Sequence, residues 1–135
     1  MLFCMVLIMP SEEYETINYD IPNMRDYYTH IKGNGEDKVT LMVYMVGSDL
    51  ESDGGAASED IAEMAAANAD NINITLQTGG AAEWKNASIS DGKTERHIIK
   101  NGELQNVENL GETQMTSTNT LTDFIKWSAA NYPAD

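Results

Sequence analysis

An eight-residue segment of almost continuous apolar sequence, Val39–Val46, constrains the fold more than any other feature of this chain. Its β-branched and aromatic members favour a strand, and the lack of alternation predicts burial on both faces of a sheet. Strands of this kind are typical of the middle of parallel sheets, which carry helices on both faces. The sequence therefore predicts an α/β domain built around this central strand, which Gly47 ends.

The residues that follow predict a strand–helix–strand unit. Residues 57–68 have helical apolar spacing, with Ile61 and Met64 on one face and Ser58 as the N-cap. Residues 72–77 alternate apolar and polar side chains, which indicates a strand with one less buried face and hence an edge position in the sheet. A helix between two such strands predicts a right-handed crossover and a parallel pair.

A β-hairpin is the next predicted element. Two β-forming segments, residues 95–99 and 103–107, flank Asn101-Gly102. Asn-Gly is a strong hairpin signal because both residues tolerate a positive φ. Trp84 and Ile89 are predicted to pack beneath this hairpin, and His97 falls inside its first strand as a structural residue.

A final amphipathic helix, capped by Ser117 or Asn119, precedes Pro133. Its apolar stripe consists of Leu121, Phe124, Ile125, Ala129 and Tyr132. This stripe needs a sheet to cover, but the central strand has only one predicted neighbour, so the sequence predicts a sheet that lacks its later strands.

Residues 1–37 are predicted to lie outside the domain, as an apolar stub followed by a polar, Tyr-rich leader or linker with a short helix around residues 24–30. The stub, residues 2–9, is too short to cross a bilayer and has no preceding basic residue that would mark a signal peptide. Two interpretations stay open: the end of a longer export or anchor segment, or a misassigned start. The first predicts an extracellular or cell-surface location in a bacterium.

Cys4 is the only cysteine, so an internal disulfide and a zinc cluster are excluded. A reactive thiolate needs an electropositive neighbour, and the apolar stub supplies none. The sequence therefore argues against Cys4 as a nucleophile.

The net charge of −14 comes from 22 acidic and 8 basic residues. A field of this sign repels phosphate backbones and anionic membranes, so nucleic acid is not an expected partner. It attracts Ca²⁺ and peptides rich in Arg and Lys. The alternative is that the charge only maintains solubility.

Several segments, in their order along the chain, resemble the clostripain family of cysteine peptidases. They are residues 42–51 (MVYMVGSDLE), 60–64 (DIAEM), 77–80 (QTGG), 84–86 (WKN), the hairpin, 120–125 (TLTDFI) and 131–135 (NYPAD). The resemblance covers roughly residues 38–135 and implies the N-terminal part of a caspase-like sandwich, with a mainly parallel sheet and helices on both faces.

The same resemblance implies an endopeptidase that cleaves after basic residues, chiefly Arg, with a His–Cys dyad. In the family the His follows the strand after the Asn-Tyr-Pro helix, and the Cys follows the next strand. His30, His97 and Cys4 do not match these positions, so the resemblance assigns no catalytic residue here. It implies a section that is inactive alone and whose partner is the remainder of the peptidase domain.

Carboxylates stand at alternate positions after the central strand: Asp49, Glu51 and Asp53. Ligands of α/β sheets bind at the carboxyl ends of strands. We therefore expect Ser48, Asp49 and Glu51 to contact a basic substrate, and Asp49 and Asp53 to be candidate ligands of Ca²⁺, to which several family members respond. No cofactor is expected to be required. The alternative is a solvated acidic loop that leads into a helix.

A non-catalytic α/β binding or interaction module is the competing function. The acidic residues after the central strand argue against a phosphate-binding loop. A receiver-like domain needs a further Asp and a Lys, which the sequence does not locate. A catalytically inactive adhesion module stays open.

Overall fold

The computed structural model describes residues 3–9, 38–67 and 70–134 of this α/β chain. Its elements in chain order are β1 (Phe3–Met9), β2 (Val39–Val46), α1 (Ser48–Gly54), α2 (Ala56–Ala66), β3 (Ile72–Gly79), β4 (Glu95–Lys100), β5 (Glu103–Asn109) and α3 (Thr118–Asn131). The short helix predicted around residues 24–30, with His30, lies outside the described residues. The α/β class is confirmed.

The five strands form one mixed sheet in the order β1-β2-β3-β4-β5. The pair β2–β3 is parallel, as predicted, and the three other pairs are antiparallel. The expectation of a mainly parallel sheet is therefore wrong. The reason is that the hairpin joins the sheet through β4, and a strand that arrives directly from a neighbour without a crossover pairs antiparallel to it.

β1 occupies the side of β2 for which the sequence offered no neighbour. Its backbone pairs antiparallel with β2 from Phe3 opposite Val46 to Met9 opposite Thr40. The expectation that the chain supplies only one neighbour for the central strand is wrong. Residues 3–9 belong to the sheet, so the predicted boundary after residue 37 does not separate them from it.

β3 is an inner strand and not the edge strand that its alternation suggested. It pairs with β2 on one side and β4 on the other. Its polar side chains face α3 and not solvent: Thr75 Oγ1 lies 2.9 Å from Ser128 Oγ, and both side chains are buried. The alternating sequence correctly predicted which face of β3 is polar. The polar side chains on that face form hydrogen bonds within the protein and not with water.

Two helices cover opposite faces of the sheet. α2 packs on the face formed by Val43, Met45, Ile74, Leu76 and Ile99. α3 packs on the other face, where Phe124 contacts Met42 and Tyr44. Residues one apart along a strand point to opposite faces, so β2 supplies both cores, which explains its almost continuous apolar sequence.

The segment after β2 contains a helix that the sequence analysis missed. α1 runs from Ser48 to Gly54, and Gly55, at φ 73°, separates it from α2. Gly55 is the N-cap residue of α2, so the assignment of Ser58 as its N-cap is wrong. Glycine adopts a left-handed backbone conformation readily, and this conformation at Gly55 allows the two short helices to follow each other directly.

The hairpin and the last helix match their predictions. Asn101 and Gly102 have φ values of 55° and 77°, as the predicted turn requires. Trp84 and Ile89 are buried in the same cluster as Ile99 of β4, beneath the hairpin. α3 has Ser117 as its N-cap residue, one of the two predicted positions.

Candidate functional site

The carboxyl ends of the parallel pair, where the sequence placed a binding site, lie side by side. The backbone N–H of Gly47 donates to the carbonyl of Gly79 across 2.9 Å. A Cβ on Gly47 would lie 2.9 Å from the Cβ atoms of both Ala81 and Glu51. A Cβ on Gly79 would lie 2.8 Å from Met115. The two strand ends are therefore closely packed, and the loop around Met115 covers Gly79.

Ser48 turns the chain from β2 into α1. Its φ is 53°, in the left-handed region that non-glycine residues adopt with strain. The carbonyl of Ser48 accepts a hydrogen bond from Ser52 Oγ at 3.1 Å, one helical turn later. Ser52 Oγ in turn accepts the backbone N–H groups of Ala82 and Glu83 at 3.1 and 3.2 Å. These contacts attach α1 to the loop that follows β3.

Glu51 does not face an open cleft. Its side chain is 0% exposed. Its carboxylate accepts the backbone N–H of Ser58 at 2.9 Å, the Ser58 hydroxyl at 2.5 Å and the backbone N–H of Lys85 at 2.7 Å. Burial raises the pKa of Glu51, but these hydrogen bonds to the charged form outweigh it and leave the pKa below its ordinary value. The prediction that Glu51 contacts a substrate is wrong, because its carboxylate is used inside the fold.

Asp49 and Asp53 lie one turn apart on α1, and both are exposed. A helix rotates about 200° over two residues, so it brings Asp49 and Asp53 to one side and turns Glu51 to the other. Asp49 and Glu51, which were expected to contact the same substrate, therefore lie on opposite sides of α1, whereas Asp49 and Asp53, the expected metal ligands, share one side. The side chain of Ser48 holds the pKa of Asp49 below its ordinary value.

A metal site of three or more His, Cys, Asp or Glu side chains does not occur within the ranges that the structure describes. The pair Asp49 and Asp53 offers two carboxylates to a cation at the exposed surface of α1. Ca²⁺ takes six to eight oxygen ligands, so most of its shell would be water. Two exposed carboxylates would hold such an ion only weakly.

A thiol–imidazole pair is absent from the described residues. Cys4 pairs with Met45 in the β1–β2 register, while His97 pairs with Leu76 in the β3–β4 register. Three strand spacings separate β1 from β4, or roughly 14 Å. His97 cannot activate Cys4 across that distance.

His97 is buried in the core between the sheet and α2. It is 0% exposed; its Nε2 lies 2.9 Å from Thr78 Oγ1 and 3.7 Å from Glu95 Oε2, and its Nδ1 has no hydrogen-bond partner. Burial lowers the pKa of His97 to about 4, although the Glu95 carboxylate raises it. Glu95 is itself held by the Ser90 N–H, the Ser90 hydroxyl and the Asn109 amide. This group is a neutral core histidine at neutral pH.

A polar row across four strands is the feature that sequence reasoning missed. The register aligns Tyr44, Gln77, Arg96 and Glu108 on the α3 face. Arg96 Nε donates to Gln77 Oε1 at 3.1 Å, and its Nη1 lies 2.8 Å from Glu108 Oε2. The guanidinium carbon is 5.1 Å from the centre of the Trp127 ring. The signal was an arginine within a predicted strand, but it has meaning only once the register is known.

No protein-family model, curated protein or solved structure matches the chain. The fold therefore defines the class, a mixed α/β sheet between two helical layers, and no family follows from the comparisons. Within the described part of the chain, no helix has the length and apolar character needed to cross a membrane.

Proposed function

We propose that the chain is the N-terminal section of a clostripain-like cysteine endopeptidase that cleaves after Arg or Lys and that itself lacks the catalytic His and Cys. The observation that carries the proposal is the parallel pair β2–β3, whose carboxyl ends meet at Gly47 and Gly79 between two helical layers. The resemblance over residues 38–135 implies this arrangement for the first part of a caspase-like sandwich.

Asp49 is the residue of this section that would face a basic substrate, next to Ser48, whose hydroxyl oxygen is buried. Both residues follow β2 directly, at the strand end where ligands of α/β sheets bind. The carboxylate of Asp49 is ionised at neutral pH, as an exposed Asp is without any shift, so it attracts a guanidinium or an ammonium group. Glu51 has no such role, because its carboxylate is buried.

The remainder of the peptidase domain is the partner that this proposal requires. It would supply the thiol and the imidazole, and it would extend the sheet beyond β1 or take the place of β1 beside β2. The protein would act outside the cytoplasm, at the cell surface or in the medium. Calcium would bind at Asp49 and Asp53 and would not take part in the chemistry.

The decisive experiment begins with the coding sequence beyond codon 135. We expect it to encode a strand followed by a His, and a further strand followed by a Cys. The complete product should hydrolyse fluorogenic peptides after Arg and Lys, and an alkylating agent should abolish this activity. The 135-residue chain alone should hydrolyse none of them.

Two variants of the complete product sharpen the test. Asp49→Asn should raise KM for an Arg substrate by about tenfold with a smaller change in kcat, because it removes one charge–charge contact. Cys4→Ser is the matched control and should leave both constants unchanged. A continuation without His and Cys, or a complete product that cleaves no peptide after a basic residue, would refute the proposal.

The alternative is a non-catalytic α/β interaction module of the adhesion type. Both proposals expect the described residues to lack a thiol–imidazole pair, so the coding sequence is needed to distinguish them. A coding sequence that ends without a His and a Cys, in a product that is folded and stable, would select this alternative.

A further inference from the structure

A groove of about 530 Å³ lies between α2 and the turn of the β4–β5 hairpin. Its helical wall is formed by Ala62, Ala65 and Ala66, and Leu104 of β5 lies opposite. The remaining lining is polar, with Asn86, Ser88 and Glu103. Ile61, which is buried, forms part of the floor. Ala62 and Ala66 are exposed, and Leu104 is only half-buried, so the described residues leave this apolar surface open to solvent.

The small side chains of α2 determine the width of the groove. A Cβ on Gly102 would still be 3.8 Å from the carbonyl oxygen of Ala65, so helix and turn approach closely at one point. Elsewhere the methyl groups of Ala62, Ala65 and Ala66 do not reach the hairpin, which leaves the groove open. The apolar floor and helical wall favour an apolar side chain at that place, whereas Asn86, Ser88 and Glu103 on the remaining wall offer hydrogen bonds to a polar or cationic group beside it.

Carboxylates border the groove on its outer side. Glu59 and Glu63 are both exposed. Glu59 precedes Ala62 by three residues and Glu63 precedes Ala66 by three, so each glutamate neighbours one wall residue on the surface of the helix. Residues 48–66 contain no Lys or Arg. Lys100 of the hairpin points to the other face of the sheet, where it lines a separate cavity with Tyr132. The groove therefore combines an apolar floor with an acidic border.

We propose that this groove binds a cationic amphipathic segment of another polypeptide, with an apolar side chain between α2 and the hairpin and Lys or Arg beside Glu59 and Glu63. Charge complementarity selects this occupant: a chain of net charge −14 repels a second copy of itself, whereas a basic segment is attracted.

The groove is a second surface, separate from the strand ends considered for substrate. Ile99, next to the hairpin turn, pairs with Ile74 near the start of β3. The turn therefore lies at the amino ends of β2 and β3, and Ser48 lies beyond their carboxyl ends. The two surfaces are at opposite edges of the sheet, so this inference does not depend on the proposed peptidase function.

The test measures binding of two fluorescein-labelled peptides to the 135-residue chain by fluorescence anisotropy. One peptide has Leu and Lys at helical spacing, and the other has Ser in place of Leu. We expect the Leu–Lys peptide to bind at least about tenfold more tightly. Glu63→Lys and Ala62→Trp should each weaken its binding about tenfold, the first by charge repulsion and the second by filling the groove.

Matched controls lie on α3, which covers the other face of the sheet. Asp123→Lys changes the net charge as Glu63→Lys does, and Ala130→Trp adds the same ring to an exposed helical alanine. Both should leave the affinity within about twofold of the parent value. Circular dichroism of each variant verifies that it is folded.

Four outcomes would overturn the inference. Equal binding of both peptides, or an equal loss with Asp123→Lys, would mean general attraction to an acidic protein. An unchanged affinity in Ala62→Trp would place the peptide elsewhere. No binding of the Leu–Lys peptide would mean that the groove does not accept this partner.

Discussion

The carboxylate of Glu51 lies 2.9 Å from the backbone nitrogen of Ser58, and this contact joins the two helices that follow the central strand. Ser58 is in the first turn of α2, whose amide groups have no partner within the helix. A buried glutamate from α1 thus provides the capping interaction that Gly55, which has no side chain, does not provide. The third hydrogen bond, from the Lys85 N–H, attaches the loop after β3 to the same carboxylate.

We expect Glu51→Ala to lower the free energy of unfolding by about 2–4 kcal/mol, because two backbone N–H groups and a hydroxyl lose their acceptor. Asp53→Ala, on the exposed side of the same helix, should change it by less than about 0.5 kcal/mol. Urea denaturation followed by circular dichroism measures both. Equal values for the two variants would show that the Glu51 contacts add no stability.

His97 should make stability depend on pH in a defined window. Burial lowers its folded-state pKa to about 4, below the value of about 6.5 for an exposed imidazole. The unfolded chain therefore binds the proton more strongly, and the stabilising contribution of neutral His97 is complete above pH 6.5. As the pH falls from 6.5 towards 4, this contribution declines by up to about 3 kcal/mol.

Denaturation of the parent and of His97→Gln at several pH values between 7 and 4.5 tests this dependence. The variant should show a shallower decline of stability over that range. His30 is present in both proteins, so the difference between the two slopes isolates His97. Parallel slopes would contradict a buried neutral histidine.

Arg96 should be less tolerant of substitution than its acidic partner. Arg96→Lys leaves the buried Gln77 Oε1 without its donor and removes the planar group over Trp127, so we expect a cost of about 1–3 kcal/mol. The Glu108 side chain is 44% exposed, and Glu108→Gln should cost at most about 1 kcal/mol. Thermal unfolding with tryptophan fluorescence measures both. A larger cost for Glu108→Gln would place the main stabilisation in the ion pair.

Calcium should bind weakly to α1. With two exposed carboxylates and the rest of its shell as water, we expect a dissociation constant of roughly 10⁻³ M. Isothermal titration should show that Asp49→Asn combined with Asp53→Asn removes this binding, while Asp123→Asn leaves it unchanged. Binding that survives the double substitution would locate the ion elsewhere.

Local signals in the sequence were sufficient where the physics is local. Asn101 and Gly102 identified the hairpin because a tight turn needs two positive φ values, and helical spacing identified α2 and α3 because one face of each had to be apolar. The almost continuous apolar sequence of β2 likewise predicted a strand covered on both faces.

Signals that depend on a distant partner were interpreted wrongly. Alternation in β3 suggested an exposed edge because a polar side chain alone does not show whether water or Ser128 is its partner. Alternate carboxylates after β2 suggested that Asp49 and Glu51 contact the same substrate, but a helix turns these two side chains to opposite sides. The role of Glu51 depended on Ser58 and Lys85, which are 7 and 34 residues further along the chain.

The sequence by itself determined the α/β class, the hairpin, the amphipathic helices and the net charge of −14. Only the tertiary structure decided the strand order, the mixed direction of the sheet, the burial of Glu51 and the row from Tyr44 to Glu108. The physical reason is that periodicity and turn chemistry act over a few residues. Strand pairing and the burial of a charge are decided by which distant groups come into contact when the sheet assembles.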